Sequence, residues 1–264
     1  MDLELDSKLA LVSGSTGGIG YAIAESLARE GAHVIVNGRT ESRVEAAVGK
    51  LNSTGLKGRV EGFAADLGTS DGVSQITAKF PDVEILVNNL GIFEPKPFEQ
   101  IPDADWLRFF EVNVLSGVRL SRYYLPRMKE RGWGRIVFIS SESALQIPKE
   151  MIHYGMTKTA QLAISRGLAE LTAGTNVTVN TVLPGPTNSE GVDQFVEQMA
   201  ASQKISRAEV EKEFFRSVRP SSLLRRFART DEVAAMVTFV CSPLSSATNG
   251  AALRVDGGVV QAIP

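Results

Sequence analysis

The sequence predicts an α/β fold, in which a doubly wound parallel sheet forms a single domain over residues 1–264. Short apolar runs, rich in β-branched residues, alternate with helical patterns along the whole chain. No linker, repeat or low-complexity tract divides it, and a glycine-rich turn separates the first apolar run from the first helix. Because strands and helices alternate, we expect parallel strands with helices covering both faces of the sheet.

Each element is predicted from its residue pattern. The first strand is Leu9–Val12, and the helix after it places Ile19, Ile23 and Leu27 on one face. Thr40 is a candidate N-cap for the second helix. The other predicted strands are residues 33–37, 60–65, 83–87, 134–140, 176–182 and 252–255. The other predicted helices are at about residues 41–51, 70–79, 103–131, 152–172 and 231–241, with two helical patterns within 190–218.

Composition excludes several classes of protein. Lys and Arg number 28 against 30 Asp and Glu, so the chain has no overall basic footprint for nucleic acid. The one cysteine, Cys241, cannot form an intrachain disulfide, which fits a reducing compartment. The acidic start at Met1–Glu4 lacks the regions of a signal peptide, and no apolar run reaches about 18 residues. We expect a cytoplasmic protein that binds neither nucleic acid nor membrane.

The turn after the first strand suits a pyrophosphate. Gly14, Gly18 and Gly20 lack a Cβ, so a ligand can approach the backbone closely. A helix begins here, and its free N–H groups and positive dipole end point at the turn. Ligands on such sheets bind beyond the carboxyl ends of the strands. Those ends are predicted at Gly14, Gly38-Arg39, Asp66, Asn88, Ser140-Ser141 and Pro184.

A tyrosine and a lysine share one face of the helix after the fifth strand. Tyr154 and Lys158 are four residues apart, so the hydroxyl and the ammonium can share a site. A nearby cation favours phenolate and lowers the tyrosine pKa, which suits proton transfer to a carbonyl oxygen. Ser141 ends the preceding strand, close enough to face the same point. On its own, the pair also fits an ordinary helix with a surface lysine and a half-buried tyrosine.

Together, these motifs resemble the short-chain dehydrogenase/reductase family over almost the full chain, which implies a Rossmann-like fold. The family turn Thr-Gly-x-x-x-Gly-x-Gly is similar to Ser13–Gly20, with serine in place of threonine. The other matching positions are Asn88–Gly91 for Asn-Asn-Ala-Gly, Tyr154–Lys158 for Tyr-x-x-Ser-Lys, Asn113, Ser141, Pro184-Gly185, and Asp256–Gly258 for the C-terminal Asp-Gly-Gly.

The resemblance implies a role for each of four residues. Tyr154 would be the general acid in carbonyl reduction and the base in alcohol oxidation. Lys158 would hold the nicotinamide ribose and lower the Tyr154 pKa. Ser141 would hydrogen-bond the substrate carbonyl oxygen, and Asn113, in a slightly broken helix, would hold a water that links Lys158 to solvent. No metal is required, because the proton donor and the hydrogen bonds supply the stabilisation.

The resemblance also implies the cofactor site. An NAD enzyme usually carries an acid at the end of the second strand. This chain has Asn37-Gly38-Arg39, and an arginine can form a forked contact with a 2′-phosphate, so we favour NADP(H), with NAD(H) possible. Ser189 is the candidate for the nicotinamide carboxamide, with Thr187 as its rival. The predicted cofactor-binding residues are Gly14, Ser15, Thr16, Gly18, Ile19, Gly20, Arg39, Asp66, Leu67, Asn88, Gly91, Tyr154, Lys158, Pro184, Gly185, Thr187 and Ser189.

Three features depart from the family pattern or extend it. Leu90 replaces the family's alanine, where we expect altered packing without loss of binding, and Thr157 replaces serine but keeps a hydroxyl. Residues 189–229, called here the helical insertion, are long for a connection and are a candidate substrate lid. The phenylalanines Phe195, Phe214 and Phe215 either form its apolar underside or anchor its helices.

We predict an NADPH-dependent reductase that converts a small-molecule carbonyl to an alcohol. The alternatives are a 3-oxoacyl thioester reductase acting on an acyl carrier protein, an NAD-dependent alcohol dehydrogenase, and a regulatory NAD(P)-binding protein without turnover. The helix at 152–172 has small and apolar residues on more than one side, including Ala160, Ala163 and Gly167. One side packs on the sheet, and the remainder predicts a homo-oligomer. The resemblance implies a tetramer in which the helices at about 103–131 and 152–172 pair with their copies.

Overall fold

The computed structural model describes residues 1–263, apart from the side chains of Gln194, Phe195 and Gln203. The strands are β1 (Leu9–Val12), β2 (His33–Gly38), β3 (Val60–Ala64), β4 (Ile85–Asn88), β5 (Gly134–Ile139), β6 (Val177–Pro184), β7 (Thr187–Asn188), β8 (Ala228–Arg229) and β9 (Ala252–Val255). Seven of them form one sheet in the order β3-β2-β1-β4-β5-β6-β9, and every pairing in it is parallel. The predicted α/β fold is confirmed.

The helices lie between the strands. They are α1 (Gly18–Arg29), α2 (Glu41–Asn52), α3 (Ser70–Lys79), α4 (Asp103–Phe110), α5 (Ser116–Arg131), α6 (Ile152–Glu170), α7 (Glu190–Gln203), α8 (Arg207–Glu213) and α9 (Thr230–Cys241). No helix of the described residues is long and apolar enough to cross a membrane. Thr40 occupies the N-cap position of α2, as predicted, although its side chain accepts no capping hydrogen bond.

Two apolar layers sandwich the sheet, because its strands are apolar on both faces. Ile23 and Leu27 of α1 and Val237 of α9 are fully buried against one face. Leu120 and Tyr124 of α5 are fully buried against the other. The strand order reverses between β1 and β4, and this opens a crevice at their carboxyl ends.

The region predicted as one helix at 103–131 is interrupted. Between α4 and α5, residues Glu111–Leu115 form a wider, π-helical turn. The turn buries Asn113, whose side chain donates to the backbone carbonyl of Ile92 at 2.9 Å and accepts from its N–H at 2.7 Å. Such turns occur often at functional sites. The slightly broken helix that the family resemblance implied is therefore present, and it directs Asn113 into the molecule.

The helical insertion has an apolar core of its own. Phe215 packs against Phe214 and Phe227 with ring centroids 5.1–5.2 Å apart, and Val196 and Val210 complete the cluster. Phe215 is buried, which agrees with phenylalanines that anchor the helices. Phe195 was named with them in the sequence, but its side chain lies outside the described residues. Strands β7 and β8 pair with each other and close the two ends of the insertion.

The buried imidazole of His153 makes the stability of the fold sensitive to acid. Its imidazole is fully buried against the Phe109 ring at 4.1 Å, and no described residue bonds either ring nitrogen. Burial lowers its pKa, with Asp105 and Glu94 raising it and Lys96 and Arg108 lowering it. The unfolded chain therefore binds a proton more readily than the folded one, so stability is complete above a pH of about 6.5 and declines below it.

We expect His153→Leu to lose stability less steeply than the wild type as the pH falls from about 6.5 to 5. The measurement is the free energy of unfolding by urea at several pH values. Parallel curves for the two proteins across this range would contradict the assignment of the acid sensitivity to His153.

Candidate active site

The predicted turn lies at the carboxyl end of β1, where backbone geometry requires glycine. Gly14 has φ of +60° and Gly18 has φ of +57°, a region that residues with a Cβ rarely adopt. A Cβ on Gly20 would lie 2.6 Å from the Gly14 carbonyl oxygen. The turn is therefore tight, and the start of α1 is held directly above it.

Ser13 and Asn89 join the turn to the end of β4. The Ser13 hydroxyl accepts the N–H groups of Asn89 and Leu90 at 2.9 and 3.0 Å. The Asn89 amide donates to the carbonyl oxygens of Ser13 and Gly14, both at 2.9 Å. A hydroxyl is the one feature needed at position 13, so serine serves in place of the family's threonine. The Leu90 side chain lies beside this turn, since its Cδ1 would be 3.4 Å from a Cβ on Gly14.

Asn37, which the motifs did not single out, fixes the other side of the turn. Its side-chain nitrogen donates to the carbonyls of Phe63 and Ala65, both at 3.1 Å, and its side-chain oxygen accepts from Gly14 N–H at 3.2 Å. The Ser15 hydroxyl accepts from Asn37 N–H at 2.9 Å and donates to a β1 carbonyl. Ser15 is fully buried, so its side chain supports the turn from below.

The end of β2 carries no acidic side chain, and its glycine lies close to the glycine-rich turn. A Cβ on Gly38 would lie 2.5 Å from the methyl carbon of Thr16, in the glycine-rich turn. Arg39 follows and is exposed. Of the predicted residues on the next two strand ends, Asp66 is exposed and accepts from Gly68 N–H at 3.0 Å. Among the others, Leu67 and Asn88 are buried, and Ile19 is partly buried in the first turn of α1.

Residues after β6 reach over the turn. Ser189 is the N-cap residue of α7, and a Cβ on Gly18 would lie 3.4 Å from the Ser189 Cβ. Its rival Thr187 is buried and donates its hydroxyl proton to the Gly185 carbonyl at 2.9 Å. A Glu190 carboxylate oxygen would lie 2.9 Å from a Cβ on Gly17, and this exposed side chain can turn away from an arriving anion. Of the two rivals, Ser189 lies against the turn.

Pro184 and Gly185 anchor this segment to the last strand. Pro184 is buried at the end of β6, and Gly185 N–H donates to the Val255 carbonyl at 3.0 Å. A Cβ on Gly185 would lie 2.5 Å from the Asp256 carbonyl oxygen, so the close approach of these two segments of the chain requires glycine here. In the Asp-Gly-Gly turn, the Gly257 carbonyl accepts from the N–H groups of Leu223 and Leu224 in the helical insertion.

The predicted pair on α6 is in place, but the electrostatics differ from the prediction. The Lys158 ammonium lies 5.6 Å from the Tyr154 ring centroid. Burial raises the Tyr154 pKa, the charge of Glu142 adds to the rise, and Ser141 and Arg219 oppose it. The predicted lowering of this pKa by Lys158 is therefore wrong for this structure, because desolvation outweighs any effect of the ammonium.

Lys158 is held by neutral groups. Its ammonium donates to the Ile139 carbonyl at 2.9 Å and to the Gln161 side-chain oxygen at 3.4 Å. Burial lowers its pKa to about 7, since no carboxylate compensates for the lost water. A Cβ on Gly91 would lie 3.4 Å from the Lys158 nitrogen, so this glycine leaves the space in front of the ammonium open.

Gln161 connects Lys158 to Asn113, and sequence reasoning missed it. Its side-chain nitrogen donates to the backbone carbonyl of Asn113 at 2.6 Å, and its side-chain oxygen accepts from the Lys158 ammonium at 3.4 Å. The Asn113 side chain also donates to the Thr157 hydroxyl at 3.0 Å, which explains why a hydroxyl is kept at that position. The family resemblance implies a water on Asn113, and the Gln161 amide occupies one of the two lone pairs of the Asn113 backbone carbonyl. A polar residue one turn after Lys158 was the available signal.

Ser141 faces this group from the end of β5, and an ion pair holds it. Its hydroxyl donates to Glu142 Oε2 at 2.6 Å and accepts from Ser143 N–H at 3.1 Å. Glu142 Oε1 accepts from the Arg219 guanidinium at 2.9 Å, and both side chains are buried. Arg219 also pairs with Glu150 at 3.1 Å. The helical insertion is thus tied to the residue next to Ser141, a link that no sequence motif revealed.

The crevice fits a dinucleotide. Three glycines of the turn leave the backbone uncovered, Gly91 leaves the face of Lys158 open, and Arg39 stands where a second-strand acid would otherwise lie. The predicted catalytic residues Asn113, Ser141, Tyr154 and Lys158 belong to one connected group. No cluster of three or more histidine, cysteine or acidic side chains suited to a metal occurs among the described residues.

Comparison with known proteins agrees with this geometry. The family model of short chain dehydrogenases matches residues 8–200. The chain is 52% identical over 263 residues to the uncharacterized oxidoreductase YvaG of Bacillus subtilis, covering 100% of both chains. It is 32% identical to the 3-oxoacyl-acyl-carrier-protein reductase FabG of Aquifex aeolicus, covering 98% of this chain and 100% of that protein.

A solved structure is similar over the whole chain. It is L-sorbose reductase from Gluconobacter frateurii in complex with NADPH and L-sorbose, with a TM-score of 0.93, 30% sequence identity and 100% coverage of both chains. The fold, the glycine-rich turn and the family match point to one conclusion: the chain is an NAD(P)-dependent oxidoreductase and belongs to the short-chain dehydrogenase/reductase family.

Proposed function

We propose that the protein reduces the carbonyl group of a small molecule to an alcohol with NADPH. The observation that carries the proposal is the convergence of Ser141, Tyr154 and Lys158 beside a crevice whose β2 end has Arg39 and no acid. The similar L-sorbose reductase structure contains NADPH, which supports the choice of cofactor.

The residues that would hold the dinucleotide line the crevice from the glycine-rich turn to the start of the helical insertion. The glycine-rich turn and the start of α1 would bind the pyrophosphate. Arg39 would bind the 2′-phosphate, Lys158 the nicotinamide ribose, and Ser189 the carboxamide. NADPH supplies the hydride when it is bound. Glu190 would move off the turn, and its exposed position makes that movement easy.

The chain's own residues would manage the proton. A tyrosine phenol is protonated at neutral pH, which is the form that a proton donor must have. Ser141 would polarise the carbonyl oxygen, and Lys158 would stabilise the phenolate after transfer. Asn113 and Gln161 would hold Lys158 in position from behind.

Three other functions have weaker support. An NAD-dependent alcohol dehydrogenase would lack the acid for the ribose, and a regulatory protein would have no need of Ser141, Tyr154 and Lys158 together. A 3-oxoacyl thioester reductase is supported by the FabG similarity. NADPH oxidation over a panel of ketones and 3-oxoacyl thioesters separates the four.

We expect Tyr154→Phe to bind NADPH and to lose about 10²–10⁴-fold in kcat, because only the proton donor is removed. Binding is measured by fluorescence titration and turnover by absorbance. The control is Tyr123→Phe, which removes a hydroxyl that donates to the Thr77 backbone carbonyl in α3, outside the proposed site, and keeps its activity. A Tyr154→Phe enzyme with a large share of wild-type turnover would exclude Tyr154 as the acid.

We expect Arg39→Ala to weaken NADPH binding about tenfold or more while leaving NADH binding nearly unchanged, since a charged hydrogen bond to the 2′-phosphate is lost. Dissociation constants for both cofactors provide the test. The control Arg29→Ala removes another exposed arginine, which pairs with Glu25 at the end of α1. Equal losses for NADPH and NADH would rule out the selective role.

We also propose that the chain forms a homo-oligomer, a tetramer, through α6. Ala163 and Gly167 are exposed on this helix, a Cβ on Gly167 would meet no atom within 4 Å, and Leu171 is 58% exposed. Small residues allow two helices to approach closely, and the exposed apolar surface then gains a partner.

We expect Ala163→Arg to dissociate the assembly and to lower activity with it, because α6 also carries Tyr154 and Lys158. Light scattering gives the mass, and Ala78→Arg, an exposed position on α3, is the control that stays assembled. A wild-type mass near the 28.4 kDa of one chain would contradict the proposal.

A further inference from the structure

A buried carboxylate lies beside the serine proposed to hold the substrate carbonyl. Glu142 is 4% exposed. Its Oε2 accepts from the hydroxyls of Ser141 and Ser143, and its Oε1 accepts from the Arg219 guanidinium at 2.9 Å. All of these donors are supplied by the protein, and the carboxylate is thereby well satisfied.

The Ser141 hydroxyl has one proton, and Glu142 receives it. A serine hydroxyl donates once and accepts twice. Ser141 donates to Glu142 at 2.6 Å and accepts from Ser143 N–H at 3.1 Å. If Ser141 is to polarise a substrate carbonyl, as the proposed function requires, its proton must turn from Glu142 to the substrate oxygen.

That rotation removes a donor from a buried carboxylate. The loss is unfavourable unless another donor takes its place. A simple ketone has none to offer. A ketone with a hydroxyl on the adjacent carbon can offer its hydroxyl proton to Glu142 Oε2 while its carbonyl oxygen accepts from Ser141.

We propose that the substrates of this site are α-hydroxy ketones, and that Glu142 is the residue that selects them. This inference rests on the proposed carbonyl reduction. The carbonyl carbon receives a hydride from NADPH, its oxygen receives the Tyr154 proton, and the products are a vicinal diol and NADP⁺. The substrate hydroxyl stays hydrogen-bonded to Glu142 and takes no part in the electron transfer.

Arg219 holds Glu142 in the position that this selection needs. The guanidinium is 8% exposed and bridges Glu142 and Glu150, at 2.9 and 3.1 Å. Two carboxylates and one guanidinium give this part of the site a polar wall. The keto group of a 3-oxoacyl thioester is flanked by methylene groups, which cannot donate to that wall, so this class of substrate fits the position poorly.

Three small ketones test the inference in the wild-type enzyme with NADPH. Hydroxyacetone has the donor, butanone has the same shape without it, and methoxyacetone keeps the electron-withdrawing oxygen but cannot donate. We expect kcat/KM for hydroxyacetone to exceed both others by about tenfold or more, the effect of one hydrogen bond to a charged group. If methoxyacetone or butanone is reduced as efficiently as hydroxyacetone, the inference fails while carbonyl reduction stands. If none of the three, nor any ketone or thioester, oxidises NADPH, the proposed function fails with it.

The variant Glu142→Gln tests the residue itself. It keeps the shape of the side chain but removes the charge, and we expect the hydroxyacetone-to-butanone ratio of kcat/KM to fall to within about threefold of unity. A preference retained in full would overturn the role of Glu142.

A second measurement uses only the wild-type enzyme, so it tests the inference even if the Glu142→Gln variant fails to fold. Propane-1,2-diol should inhibit butanone reduction at a concentration at least about tenfold lower than butan-2-ol does, since only the diol can donate to Glu142 while it binds Ser141. Equal inhibition by the two alcohols would overturn the inference.

Discussion

The structure depends on the hydrogen bonds that join the ends of β1 and β4. The sheet order reverses between these strands, and beyond the backbone bond from Ser13 N–H to the Val87 carbonyl at 3.0 Å, side chains bridge the gap that opens there. Ser13 and Asn89 supply four bonds across it, and Asn37 secures the outer side of the same turn. Because polar groups buried without partners are costly, these residues fix the turn, and through it the start of α1.

A second set of bonds positions the proposed chemistry. The Ser140 hydroxyl donates to the Lys158 carbonyl at 2.9 Å, which ties β5 to α6. Gln161 links α6 to the π-helical turn at Asn113, and Arg219 ties the helical insertion to Glu142. The residues proposed for catalysis therefore lie on three separate elements, the π-helical turn, the end of β5 and α6, whose relative positions are fixed by buried hydrogen bonds. An enzyme gains from such rigidity, since small misplacements of reacting groups slow reactions strongly.

The strand and helix order could be predicted from sequence because apolar periodicity is a local signal, as is the glycine-rich turn. The motif residues on α6 were also local, four positions apart. Gln161 and Arg219 escaped prediction because their partners are 48 and 77 residues away, and each has the composition of an ordinary helix or loop residue. The Tyr154 pKa was predicted in the wrong direction because burial depends on the packed fold, which a count of neighbouring charges in the sequence omits.

The central claim is that the residues around Tyr154 direct a hydride from NADPH to a substrate carbonyl. Isotope transfer tests it most directly. The enzyme would be supplied with hydroxyacetone and NADPH carrying deuterium at both C4 positions of the nicotinamide, and the alcohol product examined by NMR. We expect one deuterium on the carbinol carbon of every product molecule. Product that carries only protium there, or consumption of NADPH without an alcohol product, would contradict it.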